Sequence, residues 1–510
     1  MDIKFRMYLD KNLLFLFFIP LFFLLHGINE NFGLIPVHSI WKLAGFYFLI
    51  TTAVIVTSLL IVRKPIKAAE FSFYLLYVFF LFGPLHDFLK STVRNKFFIS
   101  YTFLVLLIVF STVIFLISLI RRKKDTAPAF RYFNYLVIIF VTLEIATLIY
   151  YVITRKFLDN NLVPKNERVN FKSCSNTTKP DIFFVVFDGY TSSKCLKEEF
   201  DYKNEEVDSL LNANHFFTSA NSISNYNITP FSLASTMNLN YLRDGLESKV
   251  ASSRVFLQAM ETLKDNQLVK FLRTQGYEIK NYGCFDLAGV PTETVAYFSN
   301  LAYSQIDNQT LLSRIKRDIG WNFAIKNVFT GAFRVPGSYK EKKAYHLYRN
   351  EFNLEGLSNE LKVNSDTPRF VYVHIVLPHE PFYFDSDGKE VSDTDILLNR
   401  IDLKQGYLGQ LKYCNRLLKD LIQKVPMSPG NERVVIIQGD HGFRNYAMQV
   451  PVNKIFMNLN TYYFSDGDYS QLYDGISPVN SFRVVLNKYF CQSLPMLRDS
   501  SVYLIDKLKQ

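Results

Sequence analysis

The sequence predicts two structural units, an N-terminal all-α bundle of about five transmembrane helices and a C-terminal α/β domain with a mostly parallel central sheet. Three observations lead to this fold class. The 510 residues exceed what one hydrophobic core usually supports. Long apolar, Phe-rich runs dominate up to about residue 153, whereas charged and turn-forming residues reach ordinary globular density from about residue 160. Beyond residue 180, short apolar runs alternate with helical patterns, which is typical of an α/β domain.

The membrane part, residues 1–153, contains five apolar stretches that are each about long enough to cross a ~30 Å hydrocarbon core as a helix. The first stretch is the shortest. It has no small-residue cleavage site after its apolar core and more spans follow it, so a removable signal peptide is the weaker interpretation. The predicted spans are Leu13 to Ile28, Leu43 to Val62, Ala68 to Phe88, Phe97 to Ile120 and Tyr132 to Ile153.

Basic residues near the span ends predict the orientation in the membrane. Three groups of them precede the first span or fill the second and fourth loops, and the positive-inside rule puts these groups in the cytoplasm. The C-terminal domain is then outside. Lys90, Arg94 and Lys96 in the third loop run against this orientation, but they are fewer per span end. The three cytoplasmic groups are Lys4, Arg6 and Lys11; Arg63, Lys64 and Lys67; and Arg121 to Lys124.

Charge and cysteine content exclude some functions. The net charge of +11 is partly explained by the membrane loops, and no nucleic-acid-binding motif is present, so nucleic acid is not an expected partner. The five cysteines show no C-x-x-C spacing. In an exported domain one disulfide is compatible with this content, and the odd count leaves at least one cysteine unpaired.

Residues 154–180 are polar and end in Pro180, which predicts a linker, and residues 181–510 form the predicted extracytoplasmic domain. Gly276 through Ile279 indicates a helix stop followed by a strand. The clearest buried-strand candidates are Ile182 to Phe187, Phe370 to Leu377 and Val434 to Ile437. The helix candidates are Pro230 to Leu239, Leu257 to Arg273 and Tyr407 to Lys424.

Residues suited to metal or phosphate follow all three strand candidates. Asp188 follows the first, His379 the second, and Asp440 with His441 the third. Ligands of open α/β sheets bind outside the carboxyl ends of the strands, so these side chains are candidate site residues. Taken alone, the Asp-Gly pair at Asp188 is a common turn. His374, inside its apolar run, is interpreted as a core residue with a satisfied ring.

Thr229 precedes Pro230 at the start of a helical pattern, which predicts an N-cap with proline at the first helical position. That structural role is sufficient to explain the residue. The same geometry also suits a nucleophile, because backbone N–H groups and the helix dipole favour an anion at a helix N-terminus. A metal ion touching the hydroxyl would lower its pKa.

Together these motifs resemble the alkaline phosphatase and sulfatase superfamily, in particular phosphoethanolamine transferases and lipoteichoic acid synthases. The resemblance covers most of about residues 180 to 490. It implies that Asp188, Asp440 and His441 bind a metal, that Thr229 is both nucleophile and metal ligand, and that His379 binds the phosphate or a second metal. Transferases of this kind are typically anchored by about five spans, which implies a bacterial inner-membrane protein with its catalytic domain on the periplasmic or extracellular side.

Two departures from the sulfatase pattern disfavour sulfate ester hydrolysis. Sulfatases need Cys or Ser at the nucleophile and Arg four residues on, where this chain has Thr229 and Leu233. In addition, Gly189 replaces the second Asp of many sulfatases, and no His beyond His441 matches that of phosphoethanolamine transferases. One divalent metal, zinc or manganese, is therefore the simpler expectation.

The resemblance implies a double displacement through a covalent phospho-threonine. The donor would be a membrane phospholipid carrying phosphoethanolamine or phosphoglycerol, and the acceptor an envelope glycan or lipid. Two alternatives stay open: a membrane-bound hydrolase, more plausibly a phosphodiesterase than a sulfuric ester hydrolase, and a non-catalytic envelope scaffold. Residues 285–365 carry no motif, and a lid or substrate-selecting insertion is one interpretation of them.

Overall fold

The structure, a computed structural model, divides the chain into two compact units. The first contains the residues described up to 154 together with 306–318, and the second contains the remainder. The described residues are 15–32, 34–35, 37–93, 95, 97–122, 127–154, 161–173, 179–243, 246, 248–292, 306–318, 339–398, 400–425, 432–444 and 450–506. Several residues used above lie outside them: Lys4, Arg6, Lys11, Leu13, Arg94, Lys96, Lys123 and Lys124. One of the five cysteines, Cys174, also lies outside them.

Within its described residues, the first unit consists of five apolar helices and one short amphipathic helix. Four of the described helices are long and apolar enough to span a membrane, and the N-terminal one, at 16 described residues, is shorter. The N-terminal helical bundle of the predicted fold class is therefore confirmed. The five helices are α1 (Phe15–Glu30), α2 (Val37–Val62), α3 (Pro65–Thr92), α4 (Tyr101–Arg121) and α5 (Ala127–Ile153).

The basic loops predicted to be cytoplasmic meet at one end of the first unit. Lys67 of α3 donates to the backbone oxygen of Arg122, after α4, at 2.5 Å. Arg122 in turn pairs with Glu70 at 2.7 Å. These contacts join the start of α3 to the end of α4.

A segment that is distant in sequence packs against the other end of α3. The Gly83 N–H donates to the Gln309 backbone oxygen at 2.9 Å. Arg314, 6% exposed, makes two hydrogen bonds to Asp87, at 2.8 and 2.5 Å. Arg314 belongs to α11 (Leu311–Asp318), which groups with the membrane helices although residue 311 lies within the predicted extracytoplasmic range.

The second unit is an α/β domain built on a six-stranded sheet in the described part of the chain. The strand order is β2-β7-β6-β1-β5-β4. Strands β4, β5, β1 and β6 are parallel, whereas β7 and β2 run antiparallel at one edge. The mostly parallel sheet is therefore confirmed. The strands are β1 (Asp181–Phe187), β2 (Phe217–Thr218), β4 (Glu278–Tyr282), β5 (Arg369–Ile375), β6 (Arg433–Gly439) and β7 (Asn460–Phe464), while β3 (Val250–Ala251) pairs with β8 (Ile505–Asp506).

Helices cover the sheet, and one of the helix predictions is wrong. The helix expected at Leu257 to Arg273 is two helices, because the Asn266 side chain accepts from the N–H of Val269 and caps a new start. The helices of the second unit are α6 (Ser193–Phe200), α7 (Glu205–Ala213), α8 (Thr229–Asn238), α9 (Ser253–Lys264), α10 (Gln267–Thr274), α12 (Tyr339–Lys362), α13 (Asp393–Leu397), α14 (Leu403–Lys424), α15 (Val452–Ile455) and α16 (Pro478–Tyr489).

Burial places the centre of the core at the three central strands. Every residue of β1, β5 and β6 is buried, which explains their continuous apolar sequences. Part of the predicted linker also packs into this unit, since Leu162 and Val163 are fully buried. Among the described cysteines, Cys491 is disulfide-bonded and the other three are free.

Candidate functional site

Asp188 lies at the carboxyl end of β1, in the middle of the sheet. Its backbone N–H donates to the Ile375 oxygen at 2.9 Å. Gly189 then turns the chain with a φ of +72°, which glycine adopts without strain. The Gly189 N–H donates to Oδ1 of Asp440 at 2.9 Å. The end of β1 thus supplies one carboxylate, and the turn after it orients a second.

Asp440 and His441 follow β6, the neighbouring strand. His441 Nε2 lies 3.5 Å from Asp188 Oδ1 and 3.5 Å from Asp440 Oδ2. Both carboxylate oxygens are buried and have no hydrogen-bond partner among the described residues. His441 Nδ1 lies 2.7 Å from the Gly442 oxygen, so Nδ1 carries the proton and Nε2 keeps a lone pair. Three electron-rich atoms therefore face one another, an arrangement that a cation stabilises.

Thr229 brings a hydroxyl to this cluster from the first turn of α8. Its Oγ1 lies 3.5 Å from His441 Nε2, and the side chain is 7% exposed. The Ser232 N–H donates to the Ile228 oxygen, so Ile228 is the N-cap and Thr229 the first helical residue. The predicted cap position is therefore wrong by one residue. Ser232 Oγ donates to the Asp440 backbone oxygen at 2.5 Å and holds α8 against the end of β6.

His379 enters the site from the segment after β5. One ligand atom each of Asp188, His379 and His441 lies within 4.8 Å of the other two, so these three side chains are a group that could hold a metal ion. The resemblance implied phosphate binding or a second metal for His379. Its position beside the proposed ligands is compatible with either role, and the roles of all five candidate residues stay predictions.

His374 differs from its sequence interpretation. It is fully buried in β5, as a core residue would be, but its ring is not satisfied. Nε2 has no hydrogen-bond partner in the described chain and lies 3.5 Å from Asp188 Oδ2. The expectation of a satisfied ring is wrong, because this side chain is directed at the site rather than away from it.

Arg444 is a site residue that the sequence did not indicate. It lines a cavity of about 10 Å³ together with Gly189, His379 and His441, roughly the room that one water-sized group needs. Arg444 Nη1 donates to the Asn227 oxygen at 2.7 Å, two residues before the candidate nucleophile. Its Nε is buried and makes no hydrogen bond to any described residue. Arg444 lies in a loop, where the sequence has no periodic pattern, so nothing in the sequence distinguishes it from the other arginines of the chain.

Burial and neighbouring charges shift the pKa values of three site residues. Burial raises the pKa of Asp188, but three nearby histidines, led by His379, outweigh burial and hold it well below its usual range. Burial, and then the Asp188 charge, raise the pKa of Asp440 to about 6. Burial lowers the pKa of His441 well below its usual value. At neutral pH the site therefore presents two carboxylates and a neutral imidazole, the protonation states that metal binding requires.

The sequence model of the family described as Sulfatase matches residues 187–482, more than half of the chain. The match runs from the end of β1 into α16. The chain belongs to the sulfatase family. The match covers all the site residues described above, so this sulfatase-family enzyme has its buried carboxylate and histidine cluster inside the family's catalytic domain. No curated protein matches the chain.

The structure of this sulfatase-family enzyme is similar to solved phosphoethanolamine transferases. The integral membrane lipooligosaccharide phosphoethanolamine transferase EptA from Neisseria meningitidis is 14% identical, with a TM-score of 0.36, covering 93% of this chain and 95% of that one. The C-terminal periplasmic domain of EptC from Escherichia coli, in complex with Zn, is 12% identical with a TM-score of 0.37. The similarity covers 63% of this chain and 85% of that one. The corresponding domain of EptC from Campylobacter jejuni is 15% identical with a TM-score of 0.36, and the similarity covers 63% of this chain and 93% of that one.

Proposed function

We propose that this enzyme transfers a phosphodiester-linked head group, phosphoethanolamine or phosphoglycerol, from a membrane phospholipid to an envelope glycan or lipid. The position of Thr229 carries the proposal. Its hydroxyl opens α8 and lies 3.5 Å from His441 Nε2, beside two buried carboxylate oxygens that lack partners among the described residues. A hydroxyl at a helix N-terminus, next to a site for a cation, suits a nucleophile in transfer of an anionic group.

The donor set supports one divalent cation, which Asp188, Asp440, His441 and Thr229 would hold. Zinc or manganese fits this mixture of oxygen and imidazole nitrogen ligands. When bound, the cation would lower the pKa of the Thr229 hydroxyl and neutralise charge on the phosphoryl group. The chain itself adds the positive end of the α8 dipole and the guanidinium of Arg444, both suited to phosphoryl oxygens.

The proposed reaction has two halves. In the first, Thr229 Oγ1 forms a bond to phosphorus, and the bond from phosphorus to the diacylglycerol oxygen breaks. The threonine gives up its proton to solvent, and we assign to His379 the donation of the proton with which diacylglycerol leaves, which His379 then regains from solvent. In the second half an acceptor hydroxyl attacks phosphorus, gives up its proton, and Thr229 regains one. Atoms and charge balance without any further reactant.

Two features favour a phospholipid over a sulfate ester as the donor. Thr229 cannot form formylglycine, and Leu233 supplies no charge at the position where sulfatases carry arginine. The five apolar helices keep the catalytic unit on the same chain as a membrane anchor, which raises its effective concentration near lipid head groups. We place that unit outside the cytoplasm of a bacterial inner membrane.

The test is diacylglycerol release in proteoliposomes of phosphatidylethanolamine or phosphatidylglycerol, with added Zn²⁺ or Mn²⁺ and an acceptor mixture. Thr229→Ala should abolish release and Thr229→Ser should retain part of it. Thr236→Ala is the matched control, because this threonine lies on the same helix and its hydroxyl bonds only to the Ser232 oxygen at 2.9 Å in the described structure. Release by Thr229→Ala at the wild-type rate would overturn the proposed nucleophile.

Product analysis separates transfer from hydrolysis. Transfer predicts a modified acceptor in amounts that match the diacylglycerol released. Free phosphoethanolamine or phosphoglycerol without a modified acceptor would support the phosphodiesterase alternative. No release by a metal-loaded wild-type enzyme would overturn the phospholipid donor.

A further inference from the structure

His374 and Tyr372 form a buried chain of contacts that ends at Asp188. The two side chains are fully buried and lie two residues apart on β5. The Tyr372 hydroxyl and His374 Nδ1 are 2.9 Å apart. On the other side of the ring, His374 Nε2 lies 3.5 Å from Asp188 Oδ2. The proposed reaction uses neither residue.

The chemistry of these groups determines which ring nitrogen carries the proton. If Nδ1 were protonated, Nε2 would direct a lone pair at the Asp188 carboxylate, and two acceptors would face each other. If the Tyr372 hydroxyl instead donates a hydrogen bond to Nδ1, the ring hydrogen of neutral His374 lies on Nε2 and points at Oδ2. Only the second arrangement directs a hydrogen, rather than a second lone pair, at the carboxylate across the 3.5 Å between Nε2 and Oδ2.

We infer that His374, oriented by Tyr372, positions the Asp188 carboxylate for the cation by holding Oδ2 and leaving Oδ1 for the ion. Oδ1 is the oxygen that lies 3.5 Å from His441 Nε2 and that is buried with no hydrogen-bond partner in the described part of the chain. Carboxylate ligands that accept such a hydrogen bond are held in one orientation, and loss of the outer partner weakens metal binding. The inference rests on the metal site of the proposed function but not on its reaction.

The surrounding packing keeps this chain in place. His374 pairs with Val186 in the parallel register of β1 and β5, two residues before Asp188. The Asn353 side chain donates to the His374 backbone oxygen at 2.8 Å. Gly283 lies against the Tyr372 ring so closely that any side chain there would overlap it. The ring positions are therefore fixed before an ion binds.

The experiment measures Zn²⁺ affinity of the purified full-length protein in detergent, after removal of metal, by competition with a chromophoric chelator. His374→Leu should bind Zn²⁺ about 10- to 100-fold more weakly than wild type. His374→Gln keeps an N–H donor and should recover much of that loss. Tyr372→Phe should lose affinity to a smaller extent, because the ring nitrogen remains but its proton is no longer directed to Nε2.

Tyr462→Phe is the matched control for Tyr372→Phe. Tyr462 is also a fully buried tyrosine of the sheet, with its hydroxyl 2.7 Å from Ser481 Oγ. Its Zn²⁺ affinity should equal wild type. The thermal midpoint without metal should be similar for the two phenylalanine variants, whereas the increase on adding Zn²⁺ should be smaller for Tyr372→Phe. A merely structural role of Tyr372 would change the first quantity and not the second.

Each outcome has one meaning. Equal Zn²⁺ affinity in wild type and in the His374 and Tyr372 variants would overturn the positioning role while leaving the proposed function intact. If His374→Leu does not fold, His374→Gln and Tyr372→Phe decide the same question. A wild-type protein that binds neither Zn²⁺ nor Mn²⁺ would overturn the metal site and this inference with it. Metal binding that depends on His374, without head-group release, would support the inference and overturn the reaction.

Discussion

Arg444 brings a positive charge to the cavity beside His379 and His441, and its Nη1 is anchored on the Asn227 oxygen. We expect Arg444→Ala to lower kcat/KM for lipid head-group release by about 10- to 150-fold, since a hydrogen bond to a charged group is worth about 1.5–3 kcal/mol. Arg444→Lys should recover only part of the loss, because an ammonium lacks the planar fork of a guanidinium. Steady-state rates of diacylglycerol release measure both.

Arg416→Ala is the control for loss of an arginine as such. Arg416 is exposed on α14 and donates to the Ser386 oxygen at 2.5 Å, and it does not line the cavity. Its kcat/KM should stay at the wild-type value. A wild-type kcat/KM for Arg444→Ala would show that the guanidinium does not contact the phosphoryl group.

The raised pKa of Asp440 predicts how metal affinity depends on pH. A proton and a cation compete for the same buried oxygen, and the pKa of Asp440 in the metal-free protein is about 6. Below about pH 6, Zn²⁺ affinity should fall up to tenfold per pH unit, and above it Asp440 should contribute no slope. His441, with its lowered pKa, stays neutral over this range and adds none. Competition titrations between pH 5 and 7.5 measure the slope.

The contribution of Asp440 to the stability of the metal-free protein should depend on pH in the opposite sense. A carboxyl whose folded pKa is raised contributes stability at low pH, which is lost as the pH rises through the folded pKa of about 6. Asp440 should therefore contribute less stability to the metal-free protein as the pH rises from about 4 to 6, while the affinity for Zn²⁺ rises. His441, whose pKa is lowered, changes stability in the opposite direction over this range, so the quantity to measure is the difference in unfolding free energy between wild type and Asp440→Asn at each pH. A Zn²⁺ affinity that is flat from pH 5 to 7.5 in wild type would contradict the assignment.

The sequence indicated the candidate site residues that follow a strand, and Thr229 at the start of a helix, but not those inside a strand or a loop. Asp188 comes directly after a continuous apolar run, and Asp440 with His441 follows another after Gln438 and Gly439, so their common position at the sheet edge could be expected. His374 lies inside such a run, where all residues are buried and periodicity does not show which way a side chain points. The direction of the His374 side chain depends on how β1 pairs with β5, and that pairing forms only in the tertiary structure.

Helix α11 shows a contact between elements that the sequence did not indicate. Arg314 is nearly buried and makes two hydrogen bonds to Asp87, which is 49% exposed, in the first unit. A double-mutant cycle of Asp87→Ala and Arg314→Ala should give a coupling free energy of roughly 1–2 kcal/mol, between the values typical of exposed and of buried pairs. Thermal unfolding in detergent, with each variant alone and combined, measures it.

The exposed pair of Lys203 and Glu205 is the control for this cycle. Both side chains are largely exposed and their charged atoms are 3.4 Å apart. Their coupling should be close to zero, because solvent screens the pair and ordering two long side chains costs entropy. An equally small coupling for Arg314 and Asp87 would show that α11 is not held to α3 by this contact.

Element prediction succeeded where periodicity was long or burial continuous. The central strands β1, β5 and β6 and helix α14 lie within a few residues of their predicted positions. The split between α9 and α10 was missed because Asn266 interrupts a pattern that remains apolar on both sides. The short edge strand β2 pairs over two residues with β7, and two residues are too few for an alternating pattern to be recognised.

At the scale of the molecule, the division into a helical membrane part and an α/β part follows from composition, but the path of the chain between them does not. Residues 306–318 belong to the first unit, whereas the described residues before and after them belong to the second. Composition cannot show this, since α11 is a short amphipathic helix like many in a soluble domain. Its docking depends on contacts such as that of Arg314 with Asp87.

These contacts also bear on topology. The basic residues Lys67 and Arg122 lie at one end of the bundle, whereas Asp87 and Arg314, the latter from a segment inside the catalytic range, lie at the other end of α3. The positive-inside rule places the first end in the cytoplasm. The second end is then predicted to lie outside, the side on which the sequence also predicts the catalytic domain.

Cysteine labelling of intact cells tests this orientation. Lys64→Cys and Ser91→Cys place an exposed thiol at the two ends of α3, and the wild-type protein gives the background labelling. A membrane-impermeant maleimide should label Ser91→Cys in intact cells and Lys64→Cys only after permeabilisation, because the reagent cannot cross the inner membrane. The reverse pattern would put the catalytic unit in the cytoplasm, where an envelope acceptor is out of reach, and would overturn the proposed transfer together with the topology.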